Sequence, residues 1–317
     1  MQKSSIDTNK KYLISLVGPT AIGKTDLAIF LAKNLQAEIL SNDSRQFFKE
    51  LSIGTAVPTK DELAHVPHHF IQHISIEDDY SVGDFEREAL AFLENYFNTN
   101  NIALLVGGSG LYEKALTQGL DYFPEVDPSI RETLNTIFAT DGIEVLQQEL
   151  AEKDPEYFAE VDQQNGKRII RALEIIRGTG NKFSSYRSNS IVQRPFEIIK
   201  IGLDLPREEL YDRINRRVDF MMENNLLDEV KEVYPKKNLN ALQTVGYREL
   251  FCYLDQEFTL EQAVEEIKKN TRRFAKRQLT WFRKDKSVCW FSPKEGDKIL
   301  AYIKAVSYTH LRAHETL

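Results

Sequence analysis

The 317-residue chain is predicted to be an α/β protein, a parallel sheet with helices on both faces, interrupted by a helical insertion. Three observations predict this. The stretch "GPTAIGKT" (18–25) fits G-x-x-x-x-G-K-[ST], the loop that cradles phosphates, and stands between an apolar run and an amphipathic segment. Continuous apolar runs ending in glycines or polar turns recur along the chain, the pattern of strands buried on both faces. Residues 125–190 break that pattern, being rich in charge and helix formers with no evident strand.

Each element follows in order. "YLISLV" (12–17) is the first strand, and it runs into the glycine loop. "TDLAIFLAKNL" (25–35) is a helix, because Leu27, Phe30, Leu31 and Leu35 share a face. Strand, loop and helix in this order predict a P-loop NTPase-like sheet. "AEILSND" (37–43) is a second strand ending at Asp43, and "NIALLVGGSGLY" (101–112) a third ending in glycines and Ser109. Turn signals at "VDPS", "TDG", "KDPE" and "RGTGNK" punctuate the helical insertion, and "FEIIKIGLDL" (196–205) returns to the sheet. Helices follow at 207–219, 222–233 and 260–284. The expected organisation is a core of 1–119 and 196–306, an insertion of 120–195, and a tail, 307–317, excluded from the fold because it lacks periodicity joining it to the preceding helix.

Ligands of such sheets bind beyond the carboxyl ends of the strands. The loop Gly18, Pro19, Thr20, Ala21, Ile22, Gly23, Lys24 and Thr25, the strand-end Asp43 and Ser109 all fall there. Loop N–H groups and the helix N-terminus favour an anion, Lys24 adds a positive charge, and the Thr25 hydroxyl suits a Mg²⁺ ion. Phosphoryl transfer also calls for an acidic metal ligand at a neighbouring strand end, but "IALLV" ends in Gly107-Gly108. The available acid is Asp43, which the residues alone leave open as a metal ligand or a general base.

Composition narrows the classes. The net charge of −7 argues against a uniformly basic nucleic-acid binder but leaves room for a local basic groove. Cys252 and Cys289 are too few for a disulfide framework or a cysteine zinc site, and His65, His68, His69 and His73 lack the companions of one. "MQKSSIDTNKK" has no apolar signal region and no run spans a bilayer, so a cytoplasmic location is expected by elimination.

The motifs together are specific. "GPTAIGKTDLAI" (18–29), "ILSNDSRQFFKELSIGTAVP" (39–58), "VPHHFI" (66–71), "YSVGDFEREA" (80–89), "LVGGSGLYEKAL" (105–116), "KRIIRALEI" (167–175), "RINRRVDFMMENNLLDEV" (213–230), "QTVGYREL" (243–250) and "TRRFAKRQLTWFRK" (271–284) cover nearly all of residues 11–290. In this order they resemble the bacterial tRNA dimethylallyltransferases, the isopentenyl-tRNA transferases. The resemblance implies transfer of a dimethylallyl group from dimethylallyl diphosphate to N6 of the adenine 3′ of the tRNA anticodon; a monomer is expected, though no residue pattern fixes the oligomeric state. It implies that the phosphate loop with Arg217 grips the leaving diphosphate alongside Mg²⁺, so a missing acid at the "IALLV" end is no anomaly. Asp43 becomes the proton acceptor, with Ser109 placing the adenine or the phosphate. The family usually has threonine at Ser109, and "DSMQVY" where this chain has "DSRQFF", so Asp43, Ser44 and Gln46 match while Arg45 departs.

The resemblance also implies tRNA contacts at Asp43, Ser44, Arg45, Gln46 and Ser109, at Arg131, Lys167, Arg168, Ile169, Ile170 and Arg171, and at Gln243, Gly246, Tyr247 and Arg248. Spacing adds a third surface. Ile267, Thr271, Phe274, Gln278 and Trp281 are expected to form a core-facing seam, with Lys269, Arg272, Arg273, Lys276 and Arg283 opposite. Three rival activities predict different sequences. An adenylate isopentenyltransferase would not need the helical insertion, a kinase or ATPase would need the missing strand-end acid, and a bare RNA-binding module would leave the phosphate loop unexplained.

Overall fold

The structure, a computed structural model, describes residues 10–187 and 191–312, with side chains as far as Ser307. Its sheet contains β1 (Tyr12–Val17), β2 (Glu38–Ser41), β3 (His68–His69), β4 (Ile102–Gly107), β5 (Glu197–Leu203) and β6 (Cys289–Phe291). They lie in the order β3-β2-β4-β1-β5-β6, all parallel. Alternation along β1 decides what covers each face. Tyr12, Ile14 and Leu16 pack with α1 (Lys24–Leu35) and with Ile299 and Ile303 near the C-terminus. Leu13 points the other way, to Phe85, Ala89 and Leu93 of α3 (Val82–Tyr96) and Leu116 of α4 (Gly110–Gln118). Between β2 and β3 lies the short α2 (Lys60–His65), with a Thr59–Glu62 capping box.

The chain divides into two compact units, one of residues up to Gln118 together with those from Gln193, the other Gly119–Val192. The boundaries therefore differ from the expected 120 and 195. Arg194 explains the later one. It donates to the carbonyls of Ala115 (2.6 Å) and Leu116 (3.0 Å) and pairs with Glu86, which ties residues 193–195 to the sheet unit. The helical unit has α5 (Pro128–Asp141), α6 (Ile143–Lys153), α7 (Pro155–Glu160) and α8 (Gly166–Thr179) around Leu134, Leu146, Leu150, Ile169, Leu173 and Ile175.

The sheet unit continues with α9 (Arg207–Glu223), α10 (Leu226–Val233), α11 (Tyr247–Leu254), α12 (Leu260–Phe282) and α13 (Gly296–Arg312). Two expectations need correction here. The buried stripe of α12 is Ala263, Ile267, Ala275, Gln278 and Phe282, while Phe274 and Trp281 are 38% and 39% exposed. Ala275 and Phe282 turn inward in place of their neighbours Phe274 and Trp281, which stay at the edge, where Arg277 lies over Phe274. The second concerns the tail. The last helix passes through 307 to Arg312, and Ser307 is buried, its carbonyl accepting the Tyr12 hydroxyl at 3.0 Å. Residues 313–317 of the expected tail lie outside the described residues.

Candidate active site

The site begins where β1 stops. Gly23 caps α1 with φ 98°, a left-handed conformation that costs glycine nothing and a residue with Cβ a good deal. Thr20, Ala21, Ile22, Gly23, Lys24 and Thr25 line a cavity of about 440 Å³, together with Asp43, Gln46 and Arg217. Gly18 and Pro19 stand behind it, their carbonyls accepting from Lys24 Nζ at 3.0 and 2.8 Å. Asp26, Arg213 and Arg216 also line the cavity, and sequence reasoning did not single them out. The available signal was spacing, since Arg213 and Arg217 are four apart on α9 and so share a face. Arg213 donates to Ile22 O at 2.9 Å and braces the loop.

Lys24, Arg213, Arg216 and Arg217 line the cavity together with the carboxylates Asp26, Asp43 and Glu62. Lys24 and Arg217 are recessed, partly facing the cavity but otherwise enclosed by protein. Burial lowers the Lys24 pKa to about 8, with the Asp43 charge opposing that fall and Arg217 adding to it. Burial also lowers Arg217, again opposed by Asp43. A negative ligand in the cavity would relieve both cations.

Asp43 stands in the turn after β2, which ends at Ser41 rather than at the aspartate. Its Oδ1 accepts from Arg45 N at 3.2 Å, and its own N–H donates to Ser41 Oγ at 3.2 Å. Ser109 opens the turn between β4 and α4 and is linked to this loop: its Oγ accepts from Ser44 N at 3.2 Å and lies 3.1 Å from Ser44 Oγ. Gln46 accepts from Ser41 Oγ and donates to Thr55 O and Ala56 O. That second loop hangs on Glu229, whose carboxylate accepts the N–H groups of Ser52, Ile53 and Gly54 and the Tyr247 hydroxyl. Sequence reasoning missed Glu229, because a carboxylate serving backbone donors leaves no local pattern.

The expected tRNA contacts differ in how far they reach the surface. Ile169 and Ile170 are 0% and 6% exposed inside the helical core, so their side chains offer nothing to a surface. Tyr247 is fully buried, its ring against Gly54 and its hydroxyl on Glu229; Gly246 is buried beside it. Arg45 spends its guanidinium on the carbonyls of Asn240 and Ala241. Arg248 and Gln243 remain exposed, although Gln243 donates to Lys237 O. In the helical unit Lys167 and Arg168 are exposed. Arg131 and Arg171 both pair with the buried Glu174, at 2.7 and 2.9 Å, and Arg171 also lies over Phe123. Burial opposes charge on Glu174, but the two arginines hold its carboxyl below the usual range.

The IPP transferase family model matches residues 46–285. The chain belongs to the IPP transferase family. A tRNA dimethylallyltransferase of Christiangramia forsetii is 58% identical to it over 93% of this chain and 98% of that one. A counterpart from Flavobacterium psychrophilum is 51% identical, over 92% and 97%. Among solved structures, the full-length tRNA isopentenylpyrophosphate transferase of Bacillus halodurans matches with TM-score 0.72 and 37% identity, covering 96% of this chain and all (100%) of that one. A eukaryotic dimethylallyltransferase described as acting on tRNA matches with TM-score 0.75 and 26% identity, covering 90% of this chain and 74% of its own. Among the described residues no helix is long and apolar enough to cross a membrane.

Proposed function

We propose that this enzyme transfers a dimethylallyl group from dimethylallyl diphosphate to N6 of the adenine 3′ of the tRNA anticodon, releasing diphosphate. The observation that carries the reading is one cavity lined by a phosphate loop, by the recessed cations Lys24 and Arg217, and by Asp43 in the turn after β2, with glycine at the β4 end. A nucleotidase would want an acid at that strand end, whereas a prenyl transfer needs only a cradle for the leaving group and a base for the amine. The names and structures of the relatives support the same reaction.

In this reading the C–O bond to diphosphate breaks as the N6–carbon bond forms. Lys24, Arg217 and the loop N–H groups take up the charge that grows on diphosphate. Asp43 accepts the N6 proton, and Ser109, hydrogen-bonded to Ser44, aligns the acceptor edge. The target base leaves the anticodon stack to reach the cavity. Thr25 and Asp26, which both line the cavity, are hard oxygen donors that would suit Mg²⁺. Such an ion would supply further charge neutralisation on the diphosphate. Lys167, Arg168, Arg131 and Arg171 meet the RNA backbone.

The test is incubation with labelled dimethylallyl diphosphate and either tRNA or AMP, without added nucleoside triphosphate. Label in tRNA alone is expected. Label in AMP, or transfer only when ATP is supplied, would overturn the reading.

A further inference from the structure

We propose that Gln278 is a positioning residue that locks the phosphate loop to the turn carrying Ser109, and so sets the spacing between donor and acceptor sides of the cavity. The inference rests on the function proposed above. Gln278 lies on α12, is 5% exposed, and has both ends of its amide engaged. Its Oε1 accepts the N–H of Thr20 at 2.9 Å, and its Nε2 donates to the carbonyl of Gly108 at 3.0 Å. The partners fix the amide's orientation, because a backbone N–H only donates and a carbonyl only accepts.

Gly108 admits this approach only because it is glycine. A Cβ there would stand 2.1 Å from Gln278 Nε2. The next residue is Ser109, whose Oγ accepts from Ser44 N, one residue from Asp43. A continuous path of hydrogen bonds and short backbone steps therefore runs from Thr20 through Gln278, Gly108 and Ser109 to Ser44 and Asp43. Its two ends, Thr20 and Asp43, both face the cavity. Thr20 N–H is also withdrawn from the set of loop donors open to an anion, which leaves that work to the later residues of the loop.

A glutamine is suited to this place in a way its near neighbours in shape are not. Methionine keeps the volume but offers neither a useful donor nor a good acceptor. Glutamate keeps the acceptor for Thr20 but sets an oxygen against the Gly108 carbonyl. If the amide merely fills space, the reaction should not notice the exchange once folding is accounted for. If it sets the spacing, the chemical step should, because displacement by an ångström costs about 10²-fold in a well-aligned reaction.

The experiment compares full-length wild type, Gln278→Met and Gln278→Glu at temperatures well below each Tm, with saturating tRNA transcript and dimethylallyl diphosphate. The expected result is kcat per folded molecule lowered about 10–100-fold in both variants, with Kd for tRNA and for dimethylallyl diphosphate within a few-fold of wild type. If one variant does not fold, the other carries the comparison. Wild-type kcat per folded molecule, or a loss that only tracks the unfolded fraction or tRNA affinity, would overturn the proposal and leave Gln278 a packing residue. Asp43→Ala in the same assay separates the two claims. If it is impaired while the Gln278 variants are not, the positioning role alone fails; if it too turns over normally, the reading of the site fails.

Discussion

The cations at the phosphate loop and those around Glu174 in the helical unit are held in opposite ways. Around the phosphate loop, Lys24 and Arg217 are recessed, their charges opposed by burial, and Lys24 rests on carbonyl oxygens rather than on a carboxylate. In the helical unit Arg131 and Arg171 are roughly half exposed and share the buried carboxylate of Glu174. The first arrangement holds positive charge against carbonyls and the nearby Asp43 in a confined space, which suits a compact polyanion that enters and leaves. The second trades net charge for fixed geometry, since Glu174 pins two planar guanidiniums while leaving them open to solvent. That suits an extended phosphate backbone, where register matters and affinity is gathered from many contacts.

With the proposed chemistry in the sheet unit, the largest effect should come from Asp43. Asp43→Ala is expected to lower kcat by about 10²–10⁴-fold with little change in donor affinity. Single-turnover transfer to tRNA, with donor Kd measured alongside, checks this, and near-normal turnover would remove Asp43 from the mechanism. A smaller effect follows from Lys24. With its pKa lowered to about 8 by burial, Lys24 loses its charge as pH rises through that value. Because the anion binds the charged form, donor affinity should fall as pH rises through about 8, by up to about tenfold per unit. Lys24→Ala should abolish that step, and a titration of donor binding with pH in both proteins checks it. An unchanged pH profile would mean that another group supplies the charge.

The loop, its flanking strand and helix, and the strands before Asp43 and Ser109 were legible because apolar runs and glycines state them locally. What the sequence concealed depends on partners far along the chain. β3 is two residues long and β6 three, too short for any periodicity. The aromatics of α12 read as core because they repeat at helical spacing, but Ala263 and Ala275 occupy the buried stripe. Ile169, Ile170 and Tyr247 matched a family motif, and a motif does not distinguish a residue that touches a ligand from one that holds the fold beside it. Glu229 and Gln278 act through backbone groups at Ser52, Thr20 and Gly108, whose identities say nothing of the partnership.

The division of labour between the two units is tested most directly by a crossed binding measurement. Lys24→Ala and the triple variant Lys167→Ala/Arg168→Ala/Arg171→Ala would each be titrated with dimethylallyl diphosphate and with tRNA over a range of salt. Lys24→Ala should weaken the donor and leave tRNA unmoved. The triple variant should weaken tRNA and flatten its log–log salt dependence by about 2, with Arg171 contributing least because Glu174 already shares its charge. Its donor affinity should match wild type. Equal tRNA binding by the triple variant and wild type at every salt, or donor binding that survives the loss of Lys24, would contradict the account.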